Sequence, residues 1–247
     1  MRTIVLAGGY AKRLWPLTLE KPKPLLPLGD GCILDYIIPK IMKIENLSEI
    51  IISTNKKFEK NFLEWIKERG YKNLTVITEP SMKEEEKPGP IIAVWNIAKN
   101  VRDDYLIVAG DNVFSLDLRE MASFFYKVKL PVVALFEIDK LESAKNYACV
   151  ILDDNGSIIE FEEKPKSPKS CLISTCIYML PWRSMILMED YLKSNPPDPI
   201  GKFIEWLVNR EKVYGFKFKG YWYDIGDYEM YNLAKEAFKK LSYKDQI

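Results

Sequence analysis

Residues able to handle phosphate crowd the first thirty positions. Gly8 and Gly9 follow the apolar run Thr3-Ile4-Val5-Leu6-Ala7, and Arg13, Lys21 and Lys23 come next among Pro16, Pro22, Pro24 and Pro27. A strand ending in two glycines exposes backbone N–H groups with no Cβ to obstruct an anion or a base edge. Cations just beyond, carried on a proline-stiffened loop, suit a polyphosphate. A glycine pair alone reads more simply as an ordinary turn with solvated lysines; with Arg13 and Lys23 in the same frame, the phosphate reading prevails. The spacing excludes two common nucleotide frames. No G-x-x-x-x-G-K-[ST] occurs, and Gly8-Gly9-Tyr10-Ala11-Lys12-Arg13 is not G-x-G-x-x-G.

Three acidic strings are further candidates. Ala109-Gly110-Asp111-Asn112 closes an apolar run, so Asp111 is either a turn residue or a ligand for a hard cation on bound phosphate. In Trp222-Tyr223-Asp224-Ile225-Gly226-Asp227, either acid could cap a following helix, and Asp227 is the better cap. Glu162-Glu163-Lys164-Pro165 has the look of a solvent-facing charged turn. The chain has no histidine, which excludes Ser-His triads and most zinc hydrolases and directs attention to oxygen-ligated cations. Cys32, Cys149, Cys171 and Cys176 form no C-x-x-C pair and sit in apolar surroundings.

These residues need a scaffold, and the 247 positions alternate strand and helix patterns to supply one. Strands are expected at Thr3–Ala7, Glu49–Ser53, Leu74–Thr78, Tyr105–Ala109 and Pro131–Glu137. Helices are expected at Leu34–Ile44 (kinked at Pro39), Phe58–Arg69, from Ile91 to Ala98, and at Leu118–Lys127. On the second helix Phe58, Phe62, Leu63 and Ile66 share the apolar face. Such β-α alternation predicts a mostly parallel sheet covered by helices on both faces. Ligands of such sheets collect beyond the carboxyl ends of strands, where Gly8 and Asp111 fall. Later come a hairpin (Cys149–Leu152 and Ile158–Phe161), a long strand Cys171–Leu180, helical patterns at Trp182–Lys193 and Lys202–Arg210, a strand Val213–Phe218 and a closing helix Tyr228–Leu241. The expected organisation is one domain, with a first half to about 137, a second half over 138–226 that builds the acceptor side of one cleft, and a closing segment over 227–247. A net charge of +1 offers no bulk field for nucleic acid or an anionic membrane. The chain opens on a strand rather than a leader and has no run of membrane-spanning length, so a cytoplasmic location is expected.

Leu6-Ala7-Gly8-Gly9-x-x-x-Arg13-Leu14-x-Pro16-Leu17-Thr18, continued by Lys21-Pro22-Lys23-Pro24-Leu25-Leu26-Pro27, resembles the signature of the sugar-nucleotide pyrophosphorylases. These nucleotidyltransferases make an NDP-sugar and pyrophosphate from a nucleoside triphosphate and a sugar 1-phosphate. The resemblance implies a Rossmann-like three-layer α/β sandwich of the nucleotide-diphospho-sugar transferase type, in its compact, single-domain form. It further implies Mg²⁺ held by Asp111 and Asp224, with Arg13 and Lys23 as the catalytic cations. Leu6, Ala7, Gly8, Gly9, Arg13, Glu79, Pro88 and Gly89 would bind the nucleotide. Tyr147, Ala148, Glu163, Lys164 and Thr175 would bind the sugar phosphate, with Glu163 on sugar hydroxyls and Lys164 on the phosphate. Ala11 and Ala148 stand where glycine is usual, and Gly89-Pro90 where Gly-Thr is frequent. The Lys83–Lys87 segment is expected to be a solvated, mobile loop. Glucose 1-phosphate with dTTP or UTP and mannose 1-phosphate with GTP all stay open, as does a homo-oligomer. The alternative is a silent relative that binds the same ligands to regulate a partner.

Overall fold

The computed structural model describes residues 1–239. The chain begins with β1 (Arg2–Leu6), β2 (Pro27–Leu28), β3 (Gly31–Cys32), α1 (Ile38–Met42), β4 (Glu49–Asn55), α2 (Glu59–Arg69) and β5 (Leu74–Glu79). There follow α3 (Pro90–Ala98), β6 (Tyr105–Ala109), β7 (Asn112–Phe114), α4 (Leu118–Val128), β8 (Val132–Glu137), β9 (Ala148–Leu152) and β10 (Ile158–Glu163). Last are β11 (Leu172–Leu180), α5 (Trp182–Met185), α6 (Leu187–Leu192), α7 (Ile200–Val208), β12 (Tyr214–Lys217), β13 (Trp222–Asp224) and α8 (Tyr228–Phe238). The expected end of the last helix, Leu241, lies outside the described residues. The chain forms two compact units: Met1–Lys87, Val108–Leu118 and the stretch from Tyr221 onward make one, and Pro88–Ile107 with Arg119–Gly220 the other.

In the first unit β1, β4 and β5 pair in parallel, Leu6 opposite Ser53 and Asn55 opposite Glu79. Thr3, Ile4 and Val5 are buried, as the short apolar run predicts. Helix α2 differs in its face. Trp65 is 5% exposed and Leu63 52%, so Phe62 and Trp65, not Leu63, form the inward stripe. The reason is a buried acid. Asp35, fully buried, accepts from Trp65 Nε1 at 3.1 Å, from the Cys32 N–H at 2.8 Å, and from Arg69 Nε and Nη2 at 2.8 and 2.7 Å. Burial alone would raise the Asp35 pKa, but Arg69 and the Cys32 donors outweigh it and hold it below the usual value. The expected helix Leu34–Ile44 is divided, a 3₁₀ turn at Ile33–Tyr36 preceding α1, because Pro39 has no N–H for a continuous ladder. Helix α8 starts on Asp227, whose Oδ1 accepts the Met230 N–H at 3.0 Å.

In the second unit β11 pairs antiparallel with β8 along one edge and with β9 at Ile173 and Ser174 along the other. The hairpin β9–β10 is antiparallel, and β12 joins β8 in parallel. Strand β6, which neighbours β11 here, is buried at all five positions, the pattern of an interior strand. The mixed α/β sheet is the class that the strand–helix alternation predicts.

Candidate active site

The glycine loop leaves β1 beside the end of β4. The Ala7 N–H donates to Ser53 O at 2.8 Å, and Asn55 Nδ2 donates to Gly8 O at 3.1 Å. A Cβ on Gly8 would make only ordinary contact, 3.8 Å from Thr54 backbone, and one on Gly9 would meet nothing within 4 Å. The fold does not require these glycines for packing; the space they leave is open. Ala11 has φ 48 and ψ 48, so it adopts the left-handed conformation for which glycine is suited. That costs an L-residue about 1–2 kcal/mol. The Thr18 hydroxyl and the Leu14 N–H both donate to Ala11 O at 2.9 Å and hold it there. Arg13 is exposed on the 3₁₀ turn that follows.

Lys23 opens a second 3₁₀ turn, Lys23–Leu25, behind Pro22. Its ammonium forms an ion pair with Asp111. Gly110 makes this approach feasible: its N–H donates to Leu6 O at 2.9 Å, and a Cβ there would lie 2.9 Å from that oxygen and 3.3 Å from Pro24 Cγ. Asp224 arrives from far along the chain on the ribbon β7–β13, where it is opposite Asn112, and the Ile225 N–H donates to Asp111 O at 3.1 Å. Burial by itself would lower the Lys23 pKa; the Asp111 and Asp224 carboxylates reverse this and raise it, against a smaller opposing effect from Arg13. Lys23 therefore stays charged, with Asp111, Asp224 and Arg13 all acting on it. Sequence reasoning named these four residues but missed both strands of the ribbon.

Glu79 is turned into its own loop. Its carboxylate accepts from the Ser81 N–H at 2.8 Å and from the Ser81 hydroxyl, which also contacts Tyr10 Oη at 3.1 Å. The Lys83–Lys87 segment is solvent-facing, as expected, and contains a short 3₁₀ turn, Glu84–Glu86. Lys12 pairs with Glu85 at 2.7 Å and Glu84 at 3.5 Å, and Lys87 with Glu84 at 3.3 Å, so opposite charges tie the turn down.

The second unit holds the remaining candidates. Gly89 is buried at φ 95, and a Cβ there would fall 2.7 Å from Pro197 O, which the Ile91 N–H also reaches at 3.1 Å. Only glycine fits. Pro88 precedes it, half-buried. Ala148, on β9, lies opposite Glu163 on one side and Ser174 on the other. The Lys164 N–H donates to Tyr147 O at 3.0 Å, and Lys164 itself turns left-handed at φ 51, exposed, while Glu163 beside it is half-buried. Burial pushes the Glu163 carboxyl above its usual pKa; Lys164 and Lys202 oppose the shift, and Glu205 and Asp198 add to it. Thr175 is fully buried and its hydroxyl donates to Ala134 O at 3.0 Å, so that side chain serves the sheet. Gly201 and Glu205, which touch Glu163, carry no local sequence signal and were not foreseen.

The Nucleotidyl transferase family model matches residues 2–240. The chain belongs to this family. It is 32% identical over 227 residues to the bifunctional protein GlmU of Methanocaldococcus jannaschii, covering 92% of this chain and 51% of that protein. It is 30% identical over 239 residues to the glucose-1-phosphate adenylyltransferase of Thermosipho melanesiensis, covering 90% of this chain and 58% of that one. The chain thus spans only a little over half the length of these relatives. A solved structure described as a putative glucose-1-phosphate thymidylyltransferase from Bacillus anthracis, in complex with a sucrose, superposes with TM-score 0.85 at 25% identity, covering 100% of this chain and 98% of that one. No helix of the chain, among the described residues, is long and apolar enough to cross a membrane.

Proposed function

We infer that the chain joins a nucleoside triphosphate to a sugar 1-phosphate, giving an NDP-sugar and pyrophosphate. The observation that carries this reading is the Lys23–Asp111 ion pair, with Asp224 brought to the same place by the β7–β13 ribbon. Family membership and the names of the relatives above support it. In the proposed reaction an oxygen of the sugar 1-phosphate attacks the α-phosphorus. The new P–O bond forms as the bond to pyrophosphate breaks, and pyrophosphate leaves with that electron pair. The attacking phosphate is already an anion near neutral pH, so no general base is required, which suits a chain without histidine. What remains is to bring two anions together, which is a matter of position and charge neutralisation.

The open space at Gly8 and Gly9 admits the triphosphate along the backbone that runs from Leu6 and Ala7. Arg13 and Lys23 neutralise the α-phosphate and the departing pyrophosphate. The loop that Glu79 orders through Ser81, and separately the backbone at Pro88 and Gly89, are the candidates for reading the base. Lys164 holds the nucleophilic phosphate, Glu163 accepts from a sugar hydroxyl, and Tyr147 and Ala148 shape that subsite, with Thr175 supporting it only through the sheet. Asp111 and Asp224 would hold Mg²⁺. Two carboxylates, with no cluster of three ligating side chains among the described residues, fit an ion that keeps several waters and takes phosphate oxygens. When bound, Mg²⁺ supplies charge stabilisation to the phosphate oxygens. The cytoplasm suits this reaction.

The test is pyrophosphate release with Mg²⁺, crossing four ribonucleoside triphosphates and dTTP with a set of sugar 1-phosphates. One pairing should release pyrophosphate, and Asp111→Asn should abolish it. No release from any pairing, with nucleotide still bound, would turn the reading toward a regulatory binder.

A further inference from the structure

Gly201 is the second residue of α7. It is not among the glycines with positive φ, so the path of the backbone does not call for glycine here. Alanine inside a helix is favoured over glycine by about 1 kcal/mol, and this position forgoes the gain. The reason is on β10. A Cβ on Gly201 would fall 1.8 Å from Oε2 of Glu163 and 2.7 Å from its Cδ. The carboxylate fills the volume in which any side chain at position 201 would have to begin. The same helix holds Glu163 from a second direction: Glu205 Oε2 accepts the Glu163 N–H at 3.2 Å and the Lys202 ammonium at 2.8 Å.

We propose that Gly201 is a positioning residue for the sugar subsite: having no side chain, it lets the Glu163 carboxylate lie against the first turn of α7, where it accepts a hydroxyl of the sugar 1-phosphate. The proposal rests on the assignment of Glu163 to sugar hydroxyls made above. A carboxylate at a helix N-terminus is also favoured by the helix dipole. The charged groups that face Glu163 are Lys164, Lys202, Glu205 and Asp198.

The atoms in the way of a Cβ are the far end of a flexible side chain, so Gly201→Ala swings Glu163 aside instead of unfolding the unit. Gly215 gives the opposite case. A Cβ there would meet Cδ1 of the fully buried Leu135 at 2.5 Å and Cδ2 of the half-buried Leu152 at 2.8 Å, so Gly215→Ala lowers stability without a selective effect on sugar binding.

The experiment measures KM in pyrophosphate release, with α-D-glucose 1-phosphate and α-D-mannose 1-phosphate as probes, and follows the Glu163 carboxyl by carbon-13 NMR titration. Gly201→Ala is expected to raise the sugar-phosphate KM about tenfold, the worth of one hydrogen bond to a charged group. It leaves the triphosphate KM and the melting temperature unchanged, and the Glu163 carboxyl titrates nearer the ordinary glutamate range. In a Glu163→Ala background Gly201→Ala adds nothing, because it acts through that carboxylate. An equal loss in that background, or an unmoved Glu163 titration, overturns the proposal and leaves Glu163 as a sugar residue. An unchanged sugar KM in Glu163→Ala itself overturns the Glu163 assignment and this inference together. If neither probe is turned over, the titration alone decides.

Discussion

The two units treat a shielded charge in opposite ways. Lys23, in the first, is largely removed from water, yet Asp111 and Asp224 keep it cationic. Glu163, in the second, is shielded too, but Lys164 and Lys202 do not overcome burial and the nearby acids, and its carboxyl stays harder to ionise than usual. The first arrangement is balanced beforehand and suits groups that bring more charge. The second keeps a carboxylate short of partners and suits a neutral donor such as a hydroxyl. The units also share a device. Each places non-glycine residues in the left-handed region beside its candidates, Ala11 at φ 48 in the first and Lys164 at φ 51 and Cys176 at φ 56 in the second.

The comparison can be broken or sharpened by substitution. The largest effect is expected at a charge that serves the fold alone. Asp35→Ala leaves the buried Trp65 indole and Cys32 N–H groups without their acceptor and should cost about 3–5 kcal/mol in urea unfolding. Because the Asp35 pKa is lowered on folding, its contribution is present above the unfolded pKa and is lost as pH falls through the folded one. Lys23→Ala should leave the circular dichroism spectrum intact and lower turnover about 10²-fold, in line with losing one preorganised charge at a reacting phosphate. Near-normal turnover would remove the distinction drawn between the units. Glu163→Gln should act on KM for the sugar phosphate alone, by roughly tenfold. The wild-type pH profile carries the same contrast. Sugar KM rises as pH falls through the raised Glu163 pKa, whereas Lys23, with its pKa also raised, loses its charge only on the alkaline side of an ordinary lysine. Steady-state KM and kcat measured across pH would separate the two limbs. Smallest is Ala11→Gly, expected to stabilise by about 1 kcal/mol in the same urea experiment, with turnover kept within about twofold.

Legibility in the sequence followed the range of the forces involved. Tyr105–Ala109 was readable residue for residue, because five consecutive buried apolar side chains need no distant information. Asp227 was legible as a cap by its place before an amphipathic run. Leu63 was misplaced because periodicity cannot see that Asp35 draws Trp65 inward through its indole N–H. The Lys83–Lys87 segment was legible as solvent-facing from its charge run, while its pairing with Lys12, more than seventy residues away, was not. Of the candidate site, the residue types and their order along the chain were visible, while the strands that bring Asp224 to Asp111 were not. Three-residue strands carry too little pattern of their own, and each was ordered by the other. Gly201 was equally silent, since its requirement arises from a carboxylate on another strand.

The β7–β13 ribbon has a consequence for how the molecule is made. During synthesis the glycine loop, Lys23 and Asp111 emerge long before Asp224, and N-terminal portions of a chain begin to organise first. A ribosome-bound chain that has not yet released β13 therefore carries Lys23 and Asp111 without the second carboxylate that acts on Lys23. The ribbon makes the last part of the described chain a partner of the first, so on the proposed reading turnover has to wait until synthesis has passed Asp224.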